Sequence, residues 1–434
     1  MRKILWWQVG ALIVFMYTGT AWAEDDIYLE IYKRIARNIK IAIPAFIIEK
    51  KDIDITDISE KAVRILSNDL RYTGIFNIVE GTGERDKDGT IDFKEWGILG
   101  AQALVKGKCY IDENRLSFKL WLYDVSEEKY LFGKEYSGDV KQLRLIMHRS
   151  ADDIVYYLTG ERGVAGTKIA FISPSSGYKE IYIMDYDGYS LKRLTNDRSI
   201  ALFPAWSPDG RDIAFTSYLH KNPDLYIMDS NGLNKRVVSK LDGLNVAPAW
   251  SPDGQKVALV LSKDGNPEIY IMDIDGKGLN RLTKHRGIDT SPAWSPDGKE
   301  IAFTSDRAGS PQIYIMDVRG EKKGLRRVTY RGNYNDLSSW SPDGKLIAYT
   351  SRQNGRFEIC VLDVKNKKSY QLTNGYGSKE GPSWSPDGRL IAFSSKEKGK
   401  SNIYVINADG TGQRRLTFLK GGGYSPFWSP RLSK

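Results

Sequence analysis

The tripeptide Trp-Ser-Pro recurs along the carboxyl-terminal part of the chain and constrains the fold more than any other feature. Its tryptophans are spaced by 44, 44, 46, 44 and 44 residues, and they are Trp206, Trp250, Trp294, Trp340, Trp384 and Trp428. The first five copies continue as Ser-Pro-Asp-Gly, and each is followed by a short apolar strand with alanine at its centre. A period of about 40–45 residues with several short strands is typical of β-propeller blades. The repeat therefore predicts a propeller.

The two ends of the repeat array indicate how the ring closes. The first apolar strand, Ile169-Ala170-Phe171, has no Trp-Ser-Pro before it, and the last Trp-Ser-Pro, at Trp428, has no strand after it. Residues 424–429 can supply the strand that the first blade lacks, because pairing the two ends removes exposed edges. Residues 163–434 hold six repeats of about 44 residues. We expect an all-β propeller of six blades, closed by the carboxyl-terminal strand.

Residues 24–162 lack this period and predict a separate domain of mixed α/β structure. A helix is expected from Thr56 to Tyr72, with an apolar stripe that one carboxylate, Asp69, interrupts. Alternating apolar residues between Leu104 and Tyr136 predict a three-strand meander, and a helix over residues 143–158 closes the domain. The sequence thus predicts two domains, 24–162 and 163–434.

The first 23 residues have the pattern of an export signal. Arg2 and Lys3 precede an apolar stretch whose uninterrupted part is too short to span a bilayer, and Ala21-Trp22-Ala23 follows. We expect cleavage between Ala23 and Glu24 and a periplasmic protein; an uncleaved signal anchor is the alternative. Although the net charge is +10, an exported protein rarely meets nucleic acid, so we expect no nucleic-acid partner.

No catalytic signature is found in the sequence. The chain has no G-x-S-x-G elbow, no phosphate-binding loop and no H-E-x-x-H helix. Its three histidines and two cysteines are scattered, and the Asp-x-Asp-Gly runs at Asp185 and Asp273 lack the later ligands of a calcium loop. We therefore predict no catalytic residue, no cofactor and no metal site, with hairpin turns at both Asp-x-Asp-Gly runs.

Comparison of the repeats with one another indicates where a partner would bind. The Pro-Asp-Gly and Asp-x-Asp-Gly turns hardly vary and belong to one face of the ring, whereas the loops of the other face differ in every blade. A constant face is scaffold and a varied face carries recognition. The alternative is that the varied loops are ordinary solvated loops.

This layout resembles the TolB family of the Tol–Pal system. Besides the Trp-Ser-Pro-Asp-Gly repeats, the more specific motifs are Leu158-Thr159-Gly160, Asp185-Tyr186-Asp187-Gly188-Tyr189 and Phe427-Trp428-Ser429-Pro430. The resemblance implies a non-enzymatic periplasmic adaptor, monomeric and peripheral to membranes. Such an adaptor binds the lipoprotein Pal through propeller loops, and TolA or other inner-membrane Tol proteins through its amino-terminal part. It supports outer-membrane integrity and constriction during cell division.

The resemblance also implies which residues contact Pal. In the family these lie just before the tryptophan of several blades. The positions that match the family pattern here are Leu244, Asn245, Asp289 and Thr290, and blade equivalence adds Asn335, Asp336, Lys379 and Glu380. The segment 25–38 is more charged than the family pattern, which weakens the expectation of a TolA contact there.

Two other functions stay open on the sequence alone. An exported propeller enzyme or glycan-binding module could use the central channel, with Asp289 and Asp336 as carboxylates at its mouth, although no general acid–base pair is evident. A peptidase propeller would require a separate catalytic subunit.

Overall fold

The computed structural model describes residues 38–48, 56–81, 90–112, 115–320 and 324–432. It consists of an amino-terminal α/β domain followed by a six-bladed propeller, as predicted. The predicted signal peptide, the cleavage point between Ala23 and Glu24, and nearly all of the segment 25–38 lie outside the described residues. In the described part, no helix is both long and apolar enough to cross a membrane.

The amino-terminal domain is built on one sheet, ordered β3-β1-β4-β5-β6, with β2 paired to β4. Its strands are β1 (Ile39–Ala42), β2 (Ile47–Ile48), β3 (Phe76–Val79), β4 (Ala103–Asp112), β5 (Arg115–Asp124) and β6 (Lys129–Asp139). Strand β1 runs parallel to both of its neighbours, whereas β4, β5 and β6 form an antiparallel meander. The predicted meander is confirmed.

The helices of this domain are α1 (Thr56–Tyr72), α2 (Phe93–Ile98) and α3 (Leu143–Thr159), with a 3₁₀ turn at Val140–Gln142. Helix α1 buries its apolar stripe in the core, because residues three and four apart share one helix face. Helix α3 ends at Gly160, whose φ of 75° is the left-handed conformation that glycine adopts without strain. The helices predicted over 56–72 and 143–158 are confirmed, the second with one residue more.

Each propeller blade is a four-stranded antiparallel sheet whose first strand lies innermost. Blade 1 holds β30 (Tyr424–Trp428), β7 (Lys168–Ser173), β8 (Glu180–Asp185) and β9 (Lys192–Arg193); blade 2 holds β10 (Ala201–Trp206), β11 (Asp212–His220), β12 (Asn222–Asp229) and β13 (Arg236–Ser239); blade 3 holds β14 (Asn245–Trp250), β15 (Lys256–Leu261), β16 (Glu268–Asp273) and β17 (Asn280–Arg281). Blade 4 holds β18 (Asp289–Trp294), β19 (Glu300–Ser305), β20 (Gln312–Asp317) and β21 (Arg326–Arg327); blade 5 holds β22 (Asn335–Trp340), β23 (Leu346–Gln353), β24 (Arg356–Asp363) and β25 (Lys368–Gln371); blade 6 holds β26 (Ser378–Trp384), β27 (Leu390–Glu397), β28 (Lys400–Asn407) and β29 (Arg414–Arg415).

The ring closes as the sequence predicts, with the carboxyl-terminal strand β30 inside blade 1. It pairs antiparallel with β7, in a register that places Trp428 opposite Ile169. The Ser429 hydroxyl accepts the Lys168 N–H at 3.0 Å. The same serine position makes the same bond inside other blades, as Ser341 does with the Leu346 N–H at 2.9 Å. The same hydrogen bond, from a backbone N–H to the repeated serine, therefore occurs within blades and also joins the two ends of the chain where the ring closes.

In blades 3–6 the repeated tryptophan joins its blade to the blade before it. The indole N–H of Trp250 donates to the Ala205 carbonyl at 3.0 Å, and Trp294 makes the equivalent bond to Ala249 at 3.0 Å. Trp340 and Trp384 repeat it at 3.2 and 3.1 Å. Most buried N–H groups find an acceptor, and at these four positions the bond links neighbouring inner strands. The pattern changes at the closure, where the indole N–H of Trp428 donates to Thr167 instead, at 2.8 Å.

The Ser-Pro-Asp-Gly segments form the predicted turns. In blade 2 the Ser207 hydroxyl donates to Asp209 at 2.6 Å and accepts the Asp212 N–H at 2.9 Å, and Gly210 has a φ of 71°. These turns and the Asp-Gly turns after the third strand lie at one end of the blades. We call this end the turn face and the opposite end the loop face. The central alanine of each second strand is completely buried, as expected where sheets pack face to face.

The two domains meet on the turn face through a buried polar cluster. His148 of α3 lies 2.7 Å from Asp69 of α1, and the hydroxyl of Tyr186, in the first-blade turn, donates to the other Asp69 oxygen at 2.7 Å. Beside them Arg144 forms an ion pair with Asp187. Burial raises the pKa of Asp69, although its hydrogen bonds oppose this effect. Burial lowers the pKa of His148, but the hydrogen bond and charge of Asp69 outweigh it and leave that pKa raised.

The segment between the domains is also held by a carboxylate. Asp152 of α3 accepts the backbone N–H groups of Ala165 and Gly166 at 2.8 and 3.0 Å. On the propeller side, the Arg389 guanidinium bonds Glu161 at 2.5 Å. Helix α3 therefore contacts the first-blade turn through Arg144 and the connecting segment through Asp152.

The tryptophan link predicts an order of stabilities in a matched pair of variants. Trp250→Phe removes an inter-blade hydrogen bond, whereas Trp206→Phe removes none, because the indole N–H of Trp206 has no partner among the described residues. We expect Trp250→Phe to lower the free energy of unfolding by about 1 kcal/mol more than Trp206→Phe, measured by urea denaturation. Trp206 is the more deeply buried of the two, so loss of packing alone predicts the opposite order.

The domain contact predicts a pH dependence of stability. The pKa of His148 is raised in the folded protein, so its contribution is complete below the unfolded value of about 6.5 and is lost as the pH rises through the folded value. We expect thermal stability to fall as the pH rises above 6.5 and through the raised folded-state pKa of His148, and His148→Gln to flatten that slope. The neighbouring Asp69, Tyr186, Asp187 and Arg144 are unchanged in this variant. An equal slope in the variant would assign the dependence to other groups.

Candidate functional site

A backbone irregularity recurs at the same point of all six inner strands. Three residues before each tryptophan the chain enters the left-handed region, with φ between 47° and 65°, and the pairing register shifts there. The six residues are Phe203, Ala247, Ser291, Leu337, Gly381 and Ser425. Five of them are not glycine, so the conformation is strained and is imposed by its surroundings. These β-bulges form a ring around the channel.

The residue before each bulge differs in chemistry from blade to blade. All six are half-buried at the loop-face end of the inner strands. We call them the mouth ring: Leu202, Val246, Thr290, Asp336, Glu380 and Tyr424. Identical backbone thus carries three apolar or aromatic side chains, one hydroxyl and two carboxylates around one opening.

Of the eight site residues predicted from the sequence, three belong to the mouth ring. The Thr290 hydroxyl lies 2.9 Å from that of Ser291. Asp336 accepts the Thr304 hydroxyl of the preceding blade at 2.7 Å. Burial raises the pKa of Glu380; the charge of Lys396 opposes this rise and that of Asp336 adds to it. The fourth accessible residue, Leu244, is half-buried, and its N–H donates to the Ser262 hydroxyl at 2.9 Å.

The other four predicted residues are buried one position earlier in their strands, and their side chains hold loops. The Asn245 amide donates to the Leu241 carbonyl at 2.6 Å and its oxygen accepts the Leu241 N–H at 3.0 Å. The Asn335 amide bonds Gln312 and the Arg331 carbonyl, both at 2.8 Å.

Two of these buried positions carry charges. The Lys379 ammonium lies 3.3 Å from Glu358 and donates to the Asn374 carbonyl at 2.9 Å. Asp289 pairs with Arg307 at 2.8 Å, and burial raises its pKa to about 6. Because Asp289 has no exposed surface, it is unavailable as the channel-mouth carboxylate that the enzyme alternative requires.

The channel itself contains an apolar cavity of about 330 Å³. It lies between the bulges and the turn face, and it is lined mainly by the prolines, tryptophans and small residues of the inner strands. The residues that line this cavity can pack against an apolar group, but they include no side chain suited to acid–base chemistry.

The buried cluster between the domains was not predicted. Asp69, His148 and Asp187 bring possible ligand atoms within 4.8 Å of one another, although the sequence analysis judged the histidines too scattered for a metal site. The hydrogen bond between Asp69 and His148 and the Arg144 ion pair with Asp187 give this group the chemistry of a salt-bridge network. Its one signal in the sequence is the carboxylate inside the apolar stripe of α1. The other two histidines, His220 and His285, are exposed.

Taken together, the fold and the mouth define a two-domain, six-bladed propeller protein with a ring of varied side chains at the open end of its channel. Family profiles assign it further. The profile described as the TolB beta propeller domain matches residues 155–432, and that of the TolB amino-terminal domain matches residues 27–131. The chain belongs to the TolB family.

Individual relatives agree with this assignment. The crystal structure of TolB from Acinetobacter baumannii superposes with a TM-score of 0.79 at 30% identity, covering 91% of this chain and 97% of that one. The Tol-Pal system protein TolB of Geobacter sulfurreducens is 42% identical over 210 residues, and that of Desulfosudis oleivorans 40% identical over 210 residues. These two matches cover 47% of this chain, and the chain spans about half the length (48%) of each of these curated relatives.

Proposed function

We propose that this protein is a non-enzymatic periplasmic adaptor of the Tol–Pal system that binds Pal at the mouth ring. The observation that carries the proposal is the combination of identical backbone and divergent side chains at six equivalent positions. Positions that serve as scaffold carry the same residue in every blade, as the central alanines do. A position that is equally placed but carries a different residue in every blade is suited to recognising an asymmetric partner.

The geometry divides the eight predicted residues between two roles. Leu244, Thr290, Asp336 and Glu380 have accessible surface and would contact Pal. The four buried residues (Asn245, Asp289, Asn335 and Lys379) would position the loops that carry those contacts, through the hydrogen bonds described above. The apolar and the acidic positions lie on different sides of the ring, so the partner would present an apolar group to Leu202 and Val246 and a cation to Asp336 and Glu380.

The amino-terminal part would bind TolA or another inner-membrane Tol protein, so that the adaptor joins the two membranes during constriction. The loop face and the amino-terminal domain lie at opposite ends of the channel. Coupling between two partners would have to pass through helix α3 and the connecting segment 160–166, which Asp152 holds. Such coupling requires that each partner distinguish two states of this contact.

Calorimetric titration with the periplasmic domain of Pal tests the site. We expect one-to-one binding, and we expect Thr290→Arg to weaken it at least tenfold, because a long charged side chain would fill the mouth. The matched control is Gln255→Arg on the turn face, where the equivalent position of blade 2 is Arg211. Equal losses in both variants would contradict a site at the mouth. Absence of any binding would reject the Pal proposal and favour a glycan ligand, to be sought with glycan arrays.

Deletion of residues 24–38 tests the coupling. If the amino-terminal segment and the loop face act on one equilibrium, the deletion should change the affinity for Pal although it touches no residue of the mouth ring. The control is Thr290→Arg in the same deletion, which should still weaken binding. An unchanged Pal affinity after the deletion would disprove coupling and leave the binding site itself intact.

A further inference from the structure

Blades 5 and 6 carry four neighbouring segments on the loop face that form one continuous surface, which we call the basic lobe. It comprises the hairpin tips 352–356 and 396–400 and the loops 374–378 and 418–422. The Arg356 guanidinium donates to the Gly375 carbonyl at 3.2 Å, and the backbone at Gly377 lies directly against Lys396. The Gly423 N–H, next to the last loop, donates to the Ser401 carbonyl at 2.8 Å. Each segment therefore contacts the next.

The basic lobe concentrates positive charge. It contains six exposed cations, Arg352, Arg356, Lys396, Lys398, Lys400 and Lys420, and one acidic residue, Glu397. Among the residues that the structure describes, none of these six cations takes part in an ion pair. By contrast, Lys263 at the corresponding tip of blade 3 is paired with Asp264 at 2.8 Å. The charge of the lobe is therefore available to an external partner.

Two of the most exposed aromatic side chains of the described structure lie in the same lobe. Phe418 is 76% exposed and Tyr376 is 63% exposed, and the Arg415 guanidinium stacks on the Phe418 ring at 4.5 Å. An exposed phenylalanine held by a stacked arginine presents its other face to solvent. Aromatic side chains beside lysines are typical of surfaces that meet the interface of a lipid bilayer.

At the tip of blade 6 a lysine, Lys398, occupies a strained backbone conformation. In both blades the two-residue turn has positive φ at both positions, 48° and 82° at Asn354-Gly355 and 49° and 80° at Lys398-Gly399. Asn-Gly is the preferred pair for this turn, and lysine tolerates the left-handed conformation less well. Blade 5 thus has the residue pair that this turn favours, whereas blade 6 has a lysine in place of the asparagine.

We propose that the basic lobe is a contact site for an anionic phospholipid bilayer. Lysine is depleted from protein–protein interfaces, whereas compact lysine clusters with exposed aromatic residues are attracted to anionic headgroups. Four of the six cations are lysines, and the two hairpin tips project beyond the strands that pair with them. This site adjoins the proposed Pal contact Glu380 through Lys396, and it would orient the loop face towards a membrane.

Sedimentation with phospholipid vesicles tests the proposal, using residues 24–434 without any partner. We expect binding to vesicles of phosphatidylcholine with 30% phosphatidylglycerol, little binding to pure phosphatidylcholine, and loss of binding near 0.5 M salt, where the screening length is roughly 4 Å. The triple variant Lys398→Asn, Lys400→Gln and Lys420→Gln should lower the partition coefficient about 100-fold, since each lysine contributes about a factor of five. Lys398→Asn restores the preferred turn, so misfolding is not expected.

The matched control removes three exposed lysines from the turn face, as Lys299→Gln, Lys345→Gln and Lys365→Gln. Equal loss of vesicle binding in both triples would overturn the proposal in favour of a non-specific effect of net charge. Phe418→Ser should weaken binding at low salt yet leave its salt dependence unchanged, because it removes only the apolar contact. Vesicle binding that survives the lobe triple, or a triple that loses Pal binding instead, would also overturn it. Pal titration of the same variants separates this result from failure of the proposed function.

Discussion

The inter-blade hydrogen bond of the repeated tryptophan is the contact on which the rest of the propeller depends. The indole N–H of Trp250, Trp294, Trp340 and Trp384 each reaches a carbonyl of the preceding inner strand, so blades 3–6 are placed relative to their neighbours by the same bond. The bond is short-range, but its repetition around a closed ring is a long-range constraint. At the seam, where Trp428 bonds Thr167, the strand from the chain end completes blade 1 and leaves no inner strand unpaired. The channel and both faces exist because this closure holds.

Because the scaffold is so regular, the backbone of the proposed site is the same in every blade although its side chains differ. The bulge before each tryptophan sets one position per blade at the same height, whatever side chain it carries. Thr290, Asp336 and Glu380 can therefore differ without altering the ring, while the buried residue before each of them holds the adjoining loop. Strain at non-glycine bulge residues is offset by the packing and hydrogen bonds of the surrounding sheets.

The contact between the domains has a different character, since it is small, polar and buried. His148, Asp69 and Tyr186 satisfy one another away from water, and removal of any one member would leave a buried polar group without its partner. Such a network is specific in geometry but responsive to protonation, unlike the apolar packing within the blades.

The sequence by itself determined the number of blades, the closure by the last strand and the assignment of turns and loops to opposite faces. Each of these follows from the repeat period or from local turn chemistry, and turn chemistry depends only on residues that are neighbours in the sequence. Only the tertiary structure decided which of two adjacent residues is accessible. Asp289 is buried and Thr290 is not, because successive side chains of a strand point to opposite sides and the bulge resets that alternation. The pairing of Asp69 with His148 likewise needed the fold, since 79 residues separate the two and no pattern along the chain joins them.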